Sequence, residues 1–302
     1  MSKTQTAPIW VWVLSLSAFA AIMIPSAWFF VPLWESSFEE LSRERLEAFS
    51  QKNDKPKVLA IGSSLLRCAT VYDHEMEEKI KEEVGEDIYF LRLTRSASSF
   101  EYTESLLEDF LQSGAQIILF EARSLFYELP QSSDSIPHHA LMSHRYYLKQ
   151  LILHGLSCKD AAKKRYDGEQ TRDRQAKNHS QQRLQEHCFI ADQFRMMETI
   201  PENLQYFLKE AQSKNIRIVI LDIPRSKELN EHLYTENQKF RSMLTELQKE
   251  YALDLWSYPE TPNLDELFDW AHYGPEPRKR FCTWLSQQIS KDLEGTHEPR
   301  FS

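Results

Sequence analysis

Residues 58–67 of this 302-residue chain read VLAIGSSLLR, and this stretch decides the fold. Its first four residues form a short apolar run, which is typical of a strand buried on both faces of a sheet. A glycine then permits a sharp turn, and Ser64 stands where the next helix would begin. The stretch therefore predicts a strand, a tight turn and a helix, which is the repeating unit of a parallel sheet.

The same pattern continues along the chain. Further apolar runs stand at residues 88–91, 116–120, 216–221 and 252–256. Segments with helical spacing separate or follow them, at 72–84, 100–113 and 275–292, and Gly114 ends the second of these helices. This alternation predicts an α/β fold with a parallel sheet and helices on both faces.

Residues from about 130 to 194 interrupt the rhythm. They contain six of the ten histidines and carry no strand signal, so we expect an inserted, largely helical excursion. His138, His139 and His144 invite a metal site, but neighbouring histidines do not easily point together and no acid or cysteine stands at ligand spacing, so we expect no metal. Tyr146 and Tyr147 form either a sugar-stacking face or a packing surface of the insertion.

Composition excludes several classes of protein. The chain has 36 Lys and Arg against 45 Asp and Glu, a net charge of −9, which argues against binding nucleic acid through its phosphates. Glycine is scarce, with seven residues, and neither a dinucleotide fingerprint nor a P-loop is present. We therefore expect no nucleic-acid partner and no cofactor.

Residues 4–34 contain no charge and predict a membrane anchor. About 20 apolar residues suffice to cross a bilayer, and tryptophans stand near both ends, as in the aromatic belts of a spanning helix. A cleaved signal peptide is the alternative, because residues 18–20 read AFA, but strong hydrophobicity continues past that point. We predict an uncleaved anchor at residues 1–34 and a helical stalk at 35–56.

The short, weakly basic N-terminal tail favours a single-pass protein of the inner or cytoplasmic membrane whose C-terminal domain is extracytoplasmic, hence periplasmic. The four cysteines, Cys68, Cys158, Cys188 and Cys282, are compatible with that location. Cys158 and Cys188 could pair across the insertion, or the cysteines could be buried thiols, and the sequence does not choose between these readings.

Ligands collect at the carboxyl ends of the strands in an open parallel sheet. Ser64 follows the first strand, at a helix N-terminus where backbone N–H groups stabilise a developing negative charge, although the same hydroxyl also suits a helix N-cap. Residues 268–275, FDWAHYGP, place Asp269 and His272 three residues apart in one loop. A serine nucleophile needs a base, and a histidine base needs a carboxylate to orient it. In the alternative reading, Asp269 caps the loop and His272 is a surface histidine.

The G-S-S-L block after the first strand and the D-W-A-H block before the last helix resemble those of the SGNH (GDSL-like) hydrolase superfamily. The resemblance implies a flavodoxin-like three-layer α/β/α sandwich over residues 57–292, followed by a tail at 293–302. It implies Ser64 as nucleophile, with Asp269 and His272 as acid and base. With the N-terminal anchor, the chain is similar to the membrane-tethered branch that acylates cell-envelope polymers, such as the D-alanine transfer protein of teichoic acid synthesis and the alginate O-acetylation proteins.

The chain departs from this family at the oxyanion hole. The second family block usually offers a glycine and the third an asparagine, but residues 93–99 read LTRSASS and residues 120–124 read FEARS. We expect the backbone N–H groups of Ser64 and Ser96 to bind an oxyanion. Arg123 either assists them or pairs with Glu121 or another surface acid. Arg67, one helical turn after Ser64, either faces the same pocket or lies in solvent.

The sequence thus predicts an O-acyltransferase or esterase that acts on an acylated envelope polysaccharide or related glycan without a metal. The resemblance implies a membrane-bound O-acyltransferase as a partner. The rival hypothesis, from another class, is a non-catalytic protein that binds glycan or scaffolds an export complex on a degenerate hydrolase fold.

Overall fold

The computed structural model describes residues 8–85, 87–96, 99–128, 149–150, 154–155, 157–171, 177–193, 195–196, 199–251 and 253–295. The chain divides into two compact units, one formed by residues 1–41 and 131–166 and the other by residues 42–130 and 167–302. The predicted site residues His138, His139, His144, Tyr146 and Tyr147 lie outside the described residues.

Seven strands are described, β1 to β7 in chain order: Lys57–Gly62, Tyr89–Thr94, Ile117–Glu121, Tyr127–Glu128, Arg195–Met196, Arg217–Asp222 and Asp254–Ser257. The described helices, α1 to α12, are Ile9–Ser50, Ser64–Ala69, Asp73–Val84, Glu101–Glu104, Leu107–Gln112, Ala122–Phe126, Cys158–Thr171, Gln181–Gln193, Glu202–Ser213, Lys227–His232, Tyr234–Tyr251 and Pro275–Gly295. A short 3₁₀ helix, Leu264–Glu266, precedes α12.

The second unit is built on a parallel sheet with strand order β2-β1-β3-β6-β7. Val58 in β1 pairs with Phe90 on one side and Ile117 on the other, which makes β1 a central strand. All six residues of β1 are buried, as its unbroken apolar run predicts. The chain winds outward from β1 in both directions, so the carboxyl ends of β1 and β3 mark the point where the winding reverses.

Helices cover both faces of this sheet, because alternate strand residues point to opposite sides. On one face, Leu59 and Phe120 pack with helical side chains of α5, α9 and α11, which include Phe110, Phe207 and Phe240. On the other face, Ala60 and Leu119 pack with side chains of α2, α3 and α12. The predicted α/β architecture with a parallel sheet and helices on both faces is therefore present.

The first unit contains most of the long helix α1, which covers the predicted anchor from Ile9 onward and most of the predicted stalk. Within this unit the rings of Phe38 and Tyr166 pack with centroids 5.3 Å apart. No helix in the described part of the chain carries an apolar stretch long enough to cross a bilayer. The membrane anchor and the extracytoplasmic location stay predictions.

Several element bounds differ from the prediction. The helix expected at 100–113 is two helices, α4 and α5, because Leu106 N–H donates to the Thr103 carbonyl oxygen three residues back and so tightens the chain into a turn. Gly114 follows with a positive φ of 73°, as its predicted role at the helix end requires. The fifth strand of the sheet is Asp254–Ser257, shifted toward the C-terminus relative to residues 252–256.

The cysteines divide between the core and the insertion. Cys68 and Cys282 are buried, and the Cys282 thiol donates to the Ala69 carbonyl oxygen at 3.5 Å. Burial raises the pKa of the Cys282 thiol to about 11, so it stays protonated at neutral pH. The Cys158 side chain lies outside the described residues, and a bond between Cys158 and Cys188 stays a prediction.

A substitution at Gly62, in the turn after β1, tests the packing of the second unit. A Cβ at Gly62 would lie 2.6 Å from Glu121 Cβ and 2.9 Å from Leu66 Cβ, and both neighbours are held in elements of the fold. We expect Gly62→Ala to lower the free energy of unfolding by about 2 kcal/mol, measured by urea denaturation. Gly168→Ala is the matched control, because a Cβ there meets nothing within 4 Å and the residue is helical. The control should raise stability by roughly 0.5–1 kcal/mol, and an unchanged Gly62→Ala protein would contradict the packing described.

Candidate active site

In the turn after β1, the residue that caps α2 is Ser63 and not Ser64. The Ser63 side chain accepts a hydrogen bond from Leu65 N–H at 3.1 Å, so Ser63 is the N-cap residue and Ser64 is the first helical residue. The N-cap reading of Ser64 is therefore wrong. Its backbone N–H, like those of other first-turn residues, has no acceptor within the helix.

Three side chains predicted from the sequence meet at the carboxyl end of β1. Ser64 Oγ lies 2.8 Å from His272 Nε2, and His272 Nδ1 lies 2.8 Å from Asp269 Oδ1 and 3.0 Å from Asp269 Oδ2. Asp269 is 2% exposed and His272 5%. Because a carboxylate only accepts, Nδ1 carries the proton and Nε2 keeps the lone pair that faces Ser64.

The D-x-x-H spacing follows from the local turn. Asp269 Oδ1 accepts hydrogen bonds from the N–H groups of Ala271 and His272, both at 3.0 Å, as short acidic side chains do in turns. Phe268 N–H donates to the His272 carbonyl oxygen at 2.8 Å and closes the loop. A Cβ at Gly274 would lie 2.3 Å from the Glu266 carbonyl oxygen, so only glycine fits where the chain leaves the loop for α12.

Helix α8 supplies two further contacts to Asp269. Arg183 Nη2 lies 3.2 Å and His187 Nε2 3.3 Å from Asp269 Oδ2. The His187 contact is a close approach rather than an aligned hydrogen bond, since among the described residues this nitrogen has no hydrogen-bond partner. Burial raises the pKa of Asp269, but the contacts with His187 and His272 outweigh burial and hold the pKa well below its usual range. Asp269 is therefore ionised at neutral pH.

The segment before α8 also fastens the loop that carries Asp269 and His272. Asn178 N–H donates to the Phe268 carbonyl oxygen at 2.7 Å, and Trp270 Nε1–H donates to the Ser180 carbonyl oxygen at 3.3 Å. Leu184 of α8 packs against Trp270 and Leu65. This part of the predicted insertion thus joins the site, and the sequence offered no signal for it beyond the concentration of histidines.

A second buried carboxylate holds the turn before Ser64. Glu121, 1% exposed at the end of β3, accepts hydrogen bonds from Ser63 N–H at 3.0 Å and from Arg123 N–H at 3.2 Å. It thus links the end of β3 to the turn between β1 and α2. The pairing predicted for Arg123 and Glu121 is therefore made by the backbone N–H of Arg123.

Arg67 and Ser96 lie together beside this turn. Both terminal nitrogens of Arg67 donate to Ser96 Oγ at 3.1 Å. Arg67 is 4% exposed, so its reading as a solvent-exposed residue is wrong. Arg95 N–H donates to the Gly62 carbonyl oxygen at 3.1 Å, which brings the chain preceding Ser96 against the end of β1.

Arg123 points elsewhere. Its Nη2 donates to Asn237 Oδ1 on α11 at 3.2 Å, and its guanidinium carbon lies 5.5 Å from the centre of the Phe240 ring. Both contacts place the guanidinium against α11. They do not support the prediction that Arg123 binds an oxyanion at Ser64.

His187, Asp269 and His272 have the spacing of a metal site among the described residues, with ligand atoms within 4.8 Å of one another. Asp269 already accepts a hydrogen bond from His272 Nδ1–H and faces the Arg183 guanidinium. A divalent ion would have to displace that proton and approach a fixed positive charge, so these contacts favour a hydrogen-bonded network.

No family model and no curated protein matches the chain. Solved structures with a similar arrangement include a GDSL-like lipase from Bacteroides thetaiotaomicron, at 6% identity over 83% of this chain and 98% of that one, with a TM-score of 0.41. Another is the psychrotrophic esterase EstA from Pseudoalteromonas sp., at 12% identity over 80% of this chain and 100% of that one, also with a TM-score of 0.41. A third is a putative lipolytic protein of the G-D-S-L family from Desulfitobacterium hafniense, at 10% identity over 77% and 99%, with a TM-score of 0.39.

Asp269 should contribute to stability in a pH-dependent way. We expect Asp269→Asn to lower the free energy of unfolding at pH 7 by about 3 kcal/mol, because it removes the negative charge that the half-buried Arg183 guanidinium and the buried His272 imidazole face. A carboxyl whose pKa is lowered on folding stabilises the protein fully above its unfolded pKa, near 4, and loses that effect as the pH falls. Below about pH 4 the gap between wild type and variant should narrow by up to ~1.4 kcal/mol per pH unit. Urea unfolding of both proteins from pH 7 to pH 3 measures it, and a gap that widens on acidification would contradict the assignment.

Proposed function

We propose that this protein is a serine-dependent enzyme that cleaves or transfers an ester-linked acyl group. One observation carries the proposal, namely the chain of contacts from Ser64 Oγ to His272 Nε2, and from His272 Nδ1 to Asp269, with each closest distance 2.8 Å. These are the distances and the order that nucleophilic catalysis by serine requires.

In the first half of the proposed reaction, His272 Nε2 takes the proton of Ser64 Oγ as that oxygen attacks the carbonyl carbon of the ester. Asp269 stabilises the imidazolium that forms. The carbonyl oxygen becomes an oxyanion, for which the backbone N–H of Ser64 and that of Ser96 are our candidate donors. The intermediate collapses as His272 gives the proton to the leaving alcohol, and the acyl group stays on Ser64.

The second half reverses these roles. His272 deprotonates either water or a hydroxyl of an acceptor, and the resulting oxygen attacks the acyl-Ser64 carbonyl carbon. Collapse returns the proton to Ser64 Oγ and releases a carboxylic acid or a new ester. The choice between hydrolysis and transfer rests on whether the acceptor excludes water.

We extend the proposal to location and substrate on the strength of the sequence resemblance. The enzyme would be tethered to the inner or cytoplasmic membrane by residues 1–34 and would act outside the cytoplasm on an acylated envelope polysaccharide. A membrane-bound O-acyltransferase would then supply the acyl group.

Covalent labelling tests the proposed nucleophile. Purified protein incubated with p-nitrophenyl acetate or a fluorophosphonate should gain the acetyl or phosphonyl mass on Ser64, located by peptide mass spectrometry. Ser64→Ala should lose the label and at least ~10³-fold in kcat/KM, because no other group replaces the attacking oxygen.

Ser63→Ala is the matched control, since it removes the neighbouring hydroxyl and only the helix cap with it. That variant should lose about 1 kcal/mol of stability and keep the label. Wild-type protein that takes up neither reagent would contradict the enzyme and favour the non-catalytic binding protein.

Arg183 should set the pH range of activity. Its positive charge stands 3.2 Å from Asp269 and offsets part of the negative charge that Asp269 presents to His272. Arg183→Met should therefore make the cationic form of His272 more stable and shift the acidic limb of the kcat/KM profile upward by roughly 0.5–1 pH unit. Arg183→Lys keeps a positive charge and should keep the wild-type profile. A profile unchanged in Arg183→Met would show that the guanidinium does not act on the triad.

A further inference from the structure

Strand β2 lies at one edge of the described sheet, and side chains accept hydrogen bonds from the N–H groups along its outer side. The N–H groups of Phe90 and Arg92 donate to carboxylates of α3, at 2.9 Å and 3.0 Å. Thr94, the last residue of β2, is different, because its partner is the Gln170 carboxamide near the end of α7. The carboxyl end of β2 is therefore held by a residue of the predicted insertion.

The Gln170 carboxamide binds both polar groups of the Thr94 backbone. Its Oε1 accepts a hydrogen bond from Thr94 N–H at 3.0 Å, and its Nε2 donates to the Thr94 carbonyl oxygen at 2.8 Å. A carboxylate, which is the acceptor used elsewhere along this edge, could bind only the N–H. Gln170 is 6% exposed, so this two-point contact is largely sheltered from water.

The peptide group that joins Thr94 to Arg95 is consequently held at both ends. Its carbonyl oxygen accepts from Gln170 Nε2, and its N–H, which belongs to Arg95, donates to the Gly62 carbonyl oxygen at 3.1 Å. The next peptide group carries Ser96 N–H, the candidate second donor to the oxyanion. Because peptide groups are planar, fixing one of them leaves few directions for the next.

The strand register brings this part of the backbone close to the nucleophile. Gly62 pairs with Thr94, and Ser64 and Ser96 follow these paired residues by two positions each. Adjacent strands lie about 4.8 Å apart. The N–H groups of Ser64 and Ser96 therefore belong to neighbouring turns at the same edge of the sheet.

Arg92 ties Gln170 to the helix that carries Ser64. Its Nη2 donates at 2.6 Å to the Gln170 carbonyl oxygen, in the last turn of α7, where carbonyl groups lack helical partners. Its Nη1 donates to the carbonyl oxygens of Arg67 and Thr70, at 3.2 Å and 2.9 Å, around the end of α2. Arg92 is 2% exposed, so one buried guanidinium joins the ends of these two helices.

We propose that Gln170 is a positioning residue of this enzyme, whose carboxamide orients the backbone after Thr94 so that Ser96 N–H donates to the oxyanion. The inference rests on the proposed function, because it concerns a donor for the oxyanion formed at Ser64. Gln170 acts through the backbone of Thr94 and Arg95 and does not touch the reacting atoms.

Gln170→Ala tests the proposal with p-nitrophenyl acetate as substrate and 1,1,1-trifluoroacetone as inhibitor. The ketone forms a hemiketal oxyanion on a catalytic serine and so depends on the same donors. The variant should lower kcat about 10- to 100-fold, keep KM within about twofold, and raise the Ki of the ketone by the factor by which kcat/KM falls. Ki does not depend on the fraction of protein that is folded. A merely structural role would therefore lower kcat and leave Ki unchanged.

Two further variants complete the test. Gln170→Glu keeps an oxygen that accepts Thr94 N–H but cannot donate to the carbonyl oxygen at neutral pH, so it should show a smaller rise in Ki, about three- to tenfold. It also serves if Gln170→Ala does not fold. Gln150→Ala is the matched control, because Gln150 is likewise 6% exposed and accepts from Lys164 Nζ at 3.1 Å within the first unit. It should leave kcat and Ki unchanged.

A Ki that stays at the wild-type value in the Gln170 variants would overturn the inference, as would an equal rise in Gln150→Ala. Labelling of Ser64 separates this result from the proposed function. A wild type that forms no acyl or phosphonyl adduct overturns the proposed function and the role of Gln170 together. A labelled and active wild type with unchanged Gln170 variants overturns the role of Gln170 alone.

Discussion

The buried negative charge of Asp269 constrains much of the site around it. A carboxylate that is 2% exposed is unfavourable unless donors surround it, and here the donors come from two parts of the chain. Two are N–H groups of its own turn, one is the His272 imidazole, and one is Arg183 of α8, with His187 also in close approach. The contact that orients the imidazole also helps to fold the loop, so the local structure and the proposed base cannot be separated. This explains why the loop at 268–275, the proposed base His272 and helix α8 of the predicted insertion pack together.

Glu121 is the buried carboxylate that holds the turn before Ser64, as Asp269 holds the loop of His272. Its carboxylate accepts two backbone N–H groups, and one of them belongs to Ser63, the residue before the proposed nucleophile. The approach is close enough that a Cβ on Gly62 would collide with Glu121. The glycine and the acid therefore depend on each other, because a side chain at Gly62 would push the carboxylate away from the turn it holds. At the end of β3, this chain thus uses a carboxylate to hold the geometry of the turn before Ser64.

The features that the sequence predicted are local, and the features it missed depend on contacts between distant segments. The strand and turn at residues 58–67 and the D-x-x-H loop are encoded within a few residues, so pattern and spacing sufficed to predict them. Arg183 and His187 stand more than eighty residues from Asp269, and nothing in their own neighbourhood indicates where α8 packs. Arg123 is a further case in which a contact between distant segments could not be predicted. Its position after β3 was read correctly from the sequence, but the direction of its side chain is set by Asn237 and Phe240 on α11.

Strand order makes the two sides of Ser64 chemically different. On the side of β2, the buried Arg67 donates from both terminal nitrogens to the hydroxyl of the exposed Ser96. On the other side lies β3, whose Glu121 carboxylate holds the turn before Ser64. If the enzyme acts as proposed, the carbonyl oxygen of the ester lies toward β2, because the candidate donor Ser96 N–H is on that side. The leaving alcohol then departs by the route along which water or an acceptor hydroxyl later reaches the acyl-serine, since the second half of the reaction reverses the first. The groups that admit the acceptor would therefore also decide between transfer and hydrolysis.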